Sequence, residues 1–165
     1  MGLEIERKFL VTNEKWKTSV TQTIRIRDGL IANNNGQKAR VRIANARATI
    51  ALKSRRRGRT RSEFEYAIPL SDAEDMMRVM CDGPILEKVR HCVPYTGVIW
   101  NVDVYEGILR GVTIAEVELD SSEQELQLPD WIGQEVTGDP NYRKVNMVAR
   151  RIADNREKHS TGRLG

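Results

Sequence analysis

Glu4, Glu6 and Lys8 open the chain at alternate positions, in Glu4-Ile5-Glu6-Arg7-Lys8-Phe9. In a strand the side chains alternate between faces, so these three stand in one row, opposite Ile5, Arg7 and Phe9. Alone, such a row is the solvated face of an amphipathic strand. The device recurs, however, as Arg40/Arg42, Lys53, Arg61/Glu63/Glu65, Lys88/Arg90, Asp103 and Glu116/Glu118, and the whole set holds seven cations and seven anions. Burying so many charges is costly unless they are paired or bound to something. A ligand needing both signs is a phosphate chain with a divalent cation: arginine and lysine clamp phosphate oxygens, while Glu-x-Glu pairs hold a hard metal ion. A carboxylate-only donor set points to magnesium or manganese over zinc.

Eight segments must position these rows. After the opening strand, Asn13 caps a short helical turn carrying Trp16. Thr21 to Ile31 alternates, with Ile24, Ile26 and Leu30 against Thr23, Arg25 and Arg27. Asn33-Asn34-Asn35-Gly36 reads as a hairpin turn. Strands then follow over Lys38 to Ala44, Ala48 to Ser54, Arg61 to Ile68, Ile85 to Cys92, Gly97 to Glu106 and Val112 to Asp120. The basic turn Arg55-Arg56-Arg57-Gly58-Arg59 reads first as a solvated hairpin tip. Ser71-Asp72-Ala73-Glu74 has the capping-box spacing and opens a helix to about Met80. Ser122 to Leu128 predicts a short capped helix before Pro129. Asp139-Pro140 starts a terminal helix with Val145, Val148, Ala149 and Ile152 on its docking stripe.

Short links between strands imply antiparallel pairing. In an open sheet the charged rows face water. In a closed eight-stranded barrel they line the bore, the apolar rows face outward under the helices, and the interior is just wide enough for side chains or one small ligand. The resulting class is α+β, mainly β: a closed eight-stranded antiparallel tunnel in a single domain over 1–155, with a disordered tail over 156–165.

With 165 residues, 39% hydrophobic and 30% charged, the chain suits one soluble domain, and a net charge of +4 is weak evidence for nucleic acid and fair evidence for an anionic ligand. No apolar run approaches a membrane span or a secretory leader. Cys81 and Cys92 have no metal-site spacing and read as reduced thiols, so a cytoplasmic protein is the simplest expectation. His91 and His159 suggest no catalytic role. Trp100 and Trp131 could stack a base, but beside apolar runs they read as packing residues.

The ordered set of motifs resembles a known family. Glu4-Ile5-Glu6-Arg7-Lys8-Phe9-Leu10 matches the ExExK signature of the CYTH domain, or triphosphate tunnel metalloenzyme, family. The likeness continues through Arg40/Arg42, Lys53, Ser62-Glu63-Phe64-Glu65-Tyr66, Glu87-Lys88-Val89-Arg90, Asp103-Val104-Tyr105-Glu106-Gly107, Glu116-Val117-Glu118 and Glu135-Val136-Thr137. The resemblance implies a tunnel that acts on triphosphates with Mg2+ or Mn2+; the short form is most similar to the stand-alone inorganic triphosphatases. It implies metal ligation by Glu4, Glu6, Glu116 and Glu118, with Asp103 and Glu63 or Glu65 supporting a metal or the attacking water. Phosphate binding falls to Lys8, Arg40, Arg42, Lys53, Arg61, Lys88 and Arg90, and Lys8 is also a candidate to polarise the leaving oxygen. The chain departs from the family at Thr23-Ile24-Arg25, where Gly-Tyr-Leu is common, and at Lys144, where Asn is usual. These departures direct attention to Arg25, Arg27 and Lys144 at the tunnel mouth or the terminal helix.

The function expected is metal-dependent hydrolysis of a triphosphate by in-line attack of water. A class IV-type adenylate cyclase and a non-catalytic module binding polyphosphate, nucleotide or RNA are the alternatives, separated by product analysis. The partner expected is a small-molecule triphosphate or nucleotide, with neither nucleic acid nor membrane. A homodimer stays open.

Overall fold

The structure, a computed structural model, describes residues 2–161, with side chains up to His159. All eight expected strands are present: β1 (Gly2–Val11), β2 (Gln22–Asn34), β3 (Gln37–Ala44), β4 (Arg47–Lys53), β5 (Thr60–Ile68), β6 (Leu86–Tyr95), β7 (Val98–Tyr105) and β8 (Thr113–Glu118). Their order is β5-β4-β3-β2-β6-β7-β8-β1, every pair antiparallel, and β5 pairs back onto β1 to close the barrel. A ninth strand, β9 (Ile132–Glu135), adds to the edge of β1 beyond β5 and was not foreseen. At four residues it is too short to show alternation.

The tight connections follow from residues that tolerate positive φ. Asn35 and Gly36 (φ 49° and 92°) join β2 to β3, and Thr96 and Gly97 (φ 45° and 81°) join β6 to β7. With the strands in this register, apolar rows face outward and are covered in separate patches. Phe9, Trp100, Val102 and Val117 pack under Trp16, Leu119 and Trp131, with Trp100 edge-on to both Phe9 and Trp131. Helix α1 (Leu70–Val79) lays Ala73 and Met77 on Val41, Ile43 and Ala48. Gly29 lets Cys81 approach β2, since a Cβ there would meet its Sγ at 2.7 Å. Leu52 and Tyr66 stay exposed on the outer face of β4 and β5.

Three helical expectations change. Helix α1 begins at Leu70, with Pro69 in the capping position and no side-chain cap, because the extended Pro69 leads the chain into the helix one residue before Ser71. Ser122 to Leu128 forms no helix; the Gln124 side chain instead accepts from the Asp120 amide, and Leu126 turns onto the core. At the C-terminal end, Asp139 caps only a single 3-10 turn over Pro140–Tyr142, the extended Arg143 breaks it, and α2 (Lys144–Thr161) starts afresh. The docked face of α2 is therefore Met147 and Val148, against Tyr105, Leu109 and Ile114, while Val145 is largely exposed. The helix runs through Thr161, into the stretch read as a disordered tail; residues 162–165 lie outside the described ones. Among the described residues no helix is long and apolar enough to cross a membrane.

Candidate active site

The closed barrel turns the charged rows inward. A cavity of about 520 Å³ opens inside it, lined by Glu4, Glu6 and Lys8 of β1, Arg40 and Arg42 of β3, Lys53 of β4, and Arg61, Glu63 and Glu65 of β5. Arg90 of β6, Glu116 and Glu118 of β8, and Lys144 of α2 complete its charged wall. Lys88 and Asp103 lie behind that wall, 2% and 0% exposed.

Register explains the convergence. Glu6 stands opposite Glu118 and Lys8 opposite Glu116 across β1 and β8, while Glu4 faces Arg61 across β1 and β5. Arg90 pairs with Asp103 across β6 and β7, and Lys53 with Glu63 across β4 and β5. Cross-strand neighbours on one face are close enough for such pairs to bond directly.

The result is an interlocked network of ion pairs. Lys8 Nζ lies 3.2 Å from Glu116 and 3.4 Å from Glu6. Lys53 reaches Glu4 at 3.1 Å and Glu63 at 2.9 Å, and Arg61 also bonds Glu4. Asp103 accepts from Lys88 and, in bidentate fashion at 2.7 and 2.8 Å, from Arg90, whose Nη2 also reaches Glu116 at 3.1 Å. Asp28 of β2 accepts both forks of Arg42 at 2.7 and 2.8 Å. Arg40 is the loosest: its carboxylate contacts, to Glu63, Glu65 and Asp28, are 3.7, 3.9 and 4.0 Å, and its buried Nε, the atom nearest Asp28, has no hydrogen-bond partner among the described residues.

Electrostatics follow the pairing. Burial pushes the Glu4 carboxyl up, but the hydrogen bond from Arg61 and the charges of Lys53 and Arg61 bring it down to about 2. For Asp103, Glu116 and Asp28 burial likewise acts upward and the surrounding cations outweigh it. Glu118 goes the other way: partial burial and then the charges of Glu4 and Glu6 raise it. Burial lowers the Lys8 ammonium, yet Glu116 and Glu6 raise it above the usual lysine value.

All fourteen sequence candidates therefore belong to one charged interior, twelve lining the cavity and two in the wall behind. Asp103, which the resemblance offers as support for a metal or water, is engaged by two cations. Asp28 was missed because it shares its face with Ile24 and Ile26, which in this barrel point inward. Arg56 was missed as well: it comes from the basic turn read as a solvated tip, yet its Nη2 lies 2.6 Å from Glu6 and 3.5 Å from Glu4. Its signal was the clustering of arginines, which does not say which one folds inward. Arg25 and Arg27 lie on the outer face, paired with Glu106 and Glu74, so neither shapes the tunnel mouth.

In this conformation no group of three His, Cys, Asp or Glu side chains among the described residues is arranged to hold a metal ion. Arg56 and Arg61 intervene between Glu4 and Glu6, and Lys8 between Glu6 and Glu116.

A closed antiparallel barrel whose bore carries interleaved arginines, lysines and carboxylates defines a charged-tunnel protein. The chain belongs to the CYTH domain family, whose pattern matches residues 2–151. It is 38% identical over 148 residues to an inorganic triphosphatase of Acetivibrio thermocellus, covering 90% of this chain and 94% of that one. Against an inorganic triphosphatase of Nitrosomonas europaea it is 31% identical over 144 residues, covering 85% and 93%. The crystal structure of the inorganic triphosphatase NE1496 superposes with a TM-score of 0.63 at 28% identity, over 88% of this chain and 97% of that one.

Proposed function

We propose that the tunnel hydrolyses inorganic triphosphate to pyrophosphate and phosphate, with a divalent cation, Mg2+ or Mn2+, held by Glu4, Glu6, Glu116 and Glu118. The observation that carries this reading is the single cavity in which carboxylates of β1 and β8 meet Lys8, Arg40, Arg61 and Arg90. The relatives named as inorganic triphosphatases support it.

The donor chemistry suits a hard cation, although the carboxylates are held apart by cations in this conformation. The donors are all carboxylate oxygens, and Glu118 is raised by partial burial and then by the charges of Glu4 and Glu6, a repulsion that a cation would relieve. Arg56, on a turn, is the side chain that gives way. When bound, such an ion neutralises phosphate charge and polarises phosphoryl oxygens. Arg40 has uncommitted donors, so it takes a phosphate oxygen at little cost, while Asp28 and Asp103 hold Arg42 and Arg90 in fixed orientations. Glu65, whose one ion-pair contact among the described residues is Arg40 at 3.9 Å, is the carboxylate free to orient the attacking water and take its proton. Lys8, held protonated between Glu6 and Glu116, stabilises charge on the pyrophosphate as the P–O anhydride bond breaks. The free thiols Cys81 and Cys92 suit the reducing cytoplasm.

The test is phosphate release from inorganic triphosphate, ATP and thiamine triphosphate, with and without Mg2+ or Mn2+, beside Glu6→Gln. Metal-dependent release from inorganic triphosphate, lost in the variant, is expected. Cyclic AMP from ATP, or binding with no product, would replace the reading with a cyclase or a recognition module.

A further inference from the structure

Helix α2 meets the barrel end with its first turn, and its first residue is a lysine. Lys144, Met147, Val148 and Arg151 form one i, i+3, i+4, i+7 row. Met147 is buried among Tyr105, Leu109 and Ile114, and Arg151 donates to the Arg110 carbonyl. Lys144 is thus carried on an anchored element, and it lines the cavity. Among the described residues no hydrogen bond or ion pair within 4.0 Å engages its ammonium. Every other cation of the cavity wall, from Lys8 to Arg90, has a carboxylate within that distance. The charges acting on Lys144 are Lys88 and Lys8 on one side of the balance and Glu116 and Asp28 on the other; burial and the two lysines hold it well below the usual lysine value. Lys144 is half-buried in the cavity wall, and an ammonium partly withdrawn from water with no counter-ion is costly. That cost is relieved by an anion arriving in the cavity.

We propose that Lys144 is the anchor for the far end of a linear phosphate chain, taking a phosphoryl oxygen at the α2 end of the tunnel and so setting how deep the chain enters. The inference rests on the tunnel being a triphosphate site but not on its hydrolysing the triphosphate. A phosphoryl group there would lie in the field of Lys8 and Lys88 as well, and the same cavity offers Arg40 and Arg61 to the rest of a chain. A shorter anion satisfies one end only. Chain length, not charge alone, is what Lys144 reads.

The experiment is calorimetric titration with tripolyphosphate and with pyrophosphate, in EDTA, of the wild type, Lys144→Met and Lys144→Arg. Methionine keeps the reach and removes the charge. Tripolyphosphate should weaken about tenfold or more in Lys144→Met, the scale of a lost charge-assisted contact, and pyrophosphate by less than roughly threefold. Lys144→Arg should stay within roughly threefold of the wild type for both. Unchanged tripolyphosphate binding, an equal loss for the two anions, or no binding by the wild type would each overturn the proposal. Should the methionine variant fail to fold, Lys144→Gln carries the same comparison. Phosphate release on the same preparations separates the two readings. A wild type that binds tripolyphosphate through Lys144 yet releases no phosphate refutes the hydrolase and leaves the anchor standing. Turnover with binding unchanged in Lys144→Met refutes the anchor alone.

Discussion

Asp103→Asn tests whether the aspartate in the tunnel wall acts through the two cations it holds. Its side chain is 0% exposed, Lys88 is 1% exposed, and Arg90 grips it through two bonds of 2.7 and 2.8 Å. The isosteric amide removes the charge without opening a cavity, leaving buried Lys88 with no carboxylate within 4.0 Å among the described residues and Arg90 with Glu116 alone. Breaking a buried pair in this way costs about 3–5 kcal/mol. In a chain of this size each kcal/mol shifts Tm by about 2–4 °C, so the expected fall is about 6–20 °C. Burial raises the Asp103 carboxyl but Lys88 and Arg90 outweigh it, so its folded value lies below its unfolded one. Its stabilisation is therefore fully present above the unfolded value, about 4, and is lost as pH falls through the folded value. Scanning calorimetry in EDTA should show a constant gap between wild type and variant from about pH 5 to 8 that narrows under acid. Tripolyphosphate should restore part of the loss, because the bereft cations accept an anion in place of the carboxylate. A metal-free gap under about 1 kcal/mol, or one that widens toward low pH, would refute this account.

Three further outcomes follow from the same network. Arg56→Met removes the guanidinium lying 2.6 Å from Glu6, so Mn2+ affinity, read from the paramagnetic resonance of free Mn2+, should rise severalfold; a fall would mean that Arg56 organises the carboxylates instead of competing for them. Glu118 is raised by burial and by Glu4 and Glu6, so it binds its proton more tightly when folded and its ionisation costs stability as pH rises past the unfolded value. Glu118→Gln should thus be as stable as the wild type or slightly more so in EDTA at pH 7, by under about 1 kcal/mol because the group is well exposed, while metal-dependent turnover falls; urea titration and phosphate release check the two halves. Met147→Ala deletes the buried contact that seats α2 on Tyr105, Leu109 and Ile114, at a cost of about 2–5 kcal/mol, and should raise the KM for triphosphate through Lys144; an unchanged KM would detach the helix from the site.

The barrel was legible because its strands obey one rule with few exceptions: charge at one parity, apolar at the other. Period two reports which residues share a face but not which face is inside. Only the number of charged rows, too many to leave open to water without reason, argued for closure. On β2 the rule inverts, with Ile24 and Ile26 turned inward and Arg25 and Arg27 outward, and there the reading missed Asp28. The helix ends were less legible, since Ser71 satisfies a capping pattern that Pro69 pre-empts by a residue, and the extended Arg143 restarts α2 at Lys144.

What the rows could not convey is that the residues expected to hold metal and phosphate hold one another first. Glu4 is bonded by Lys53 and Arg61, Glu6 by Arg56, Glu116 by Lys8 and Arg90. A tunnel of unpaired charges in this confined space would not stay folded, because each buried ion costs several kcal/mol that its neighbours must offset. Pairing with Asp28 and Asp103 fixes Arg42 and Arg90 in place before any ligand arrives, which is the condition for electrostatic stabilisation without reorganisation of those two groups. Pairing would also make ligand entry an exchange: on the proposed function, a cation at Glu4 and Glu6 would displace Arg56, and an anion at Arg40 would take donors that no carboxylate fully uses. Metal and phosphate are then each favoured by the other, since either one alone strands charges that the second neutralises. In the EDTA titrations above, tripolyphosphate should accordingly bind more weakly than with a divalent ion present, and by the same factor the ion should bind more weakly without tripolyphosphate.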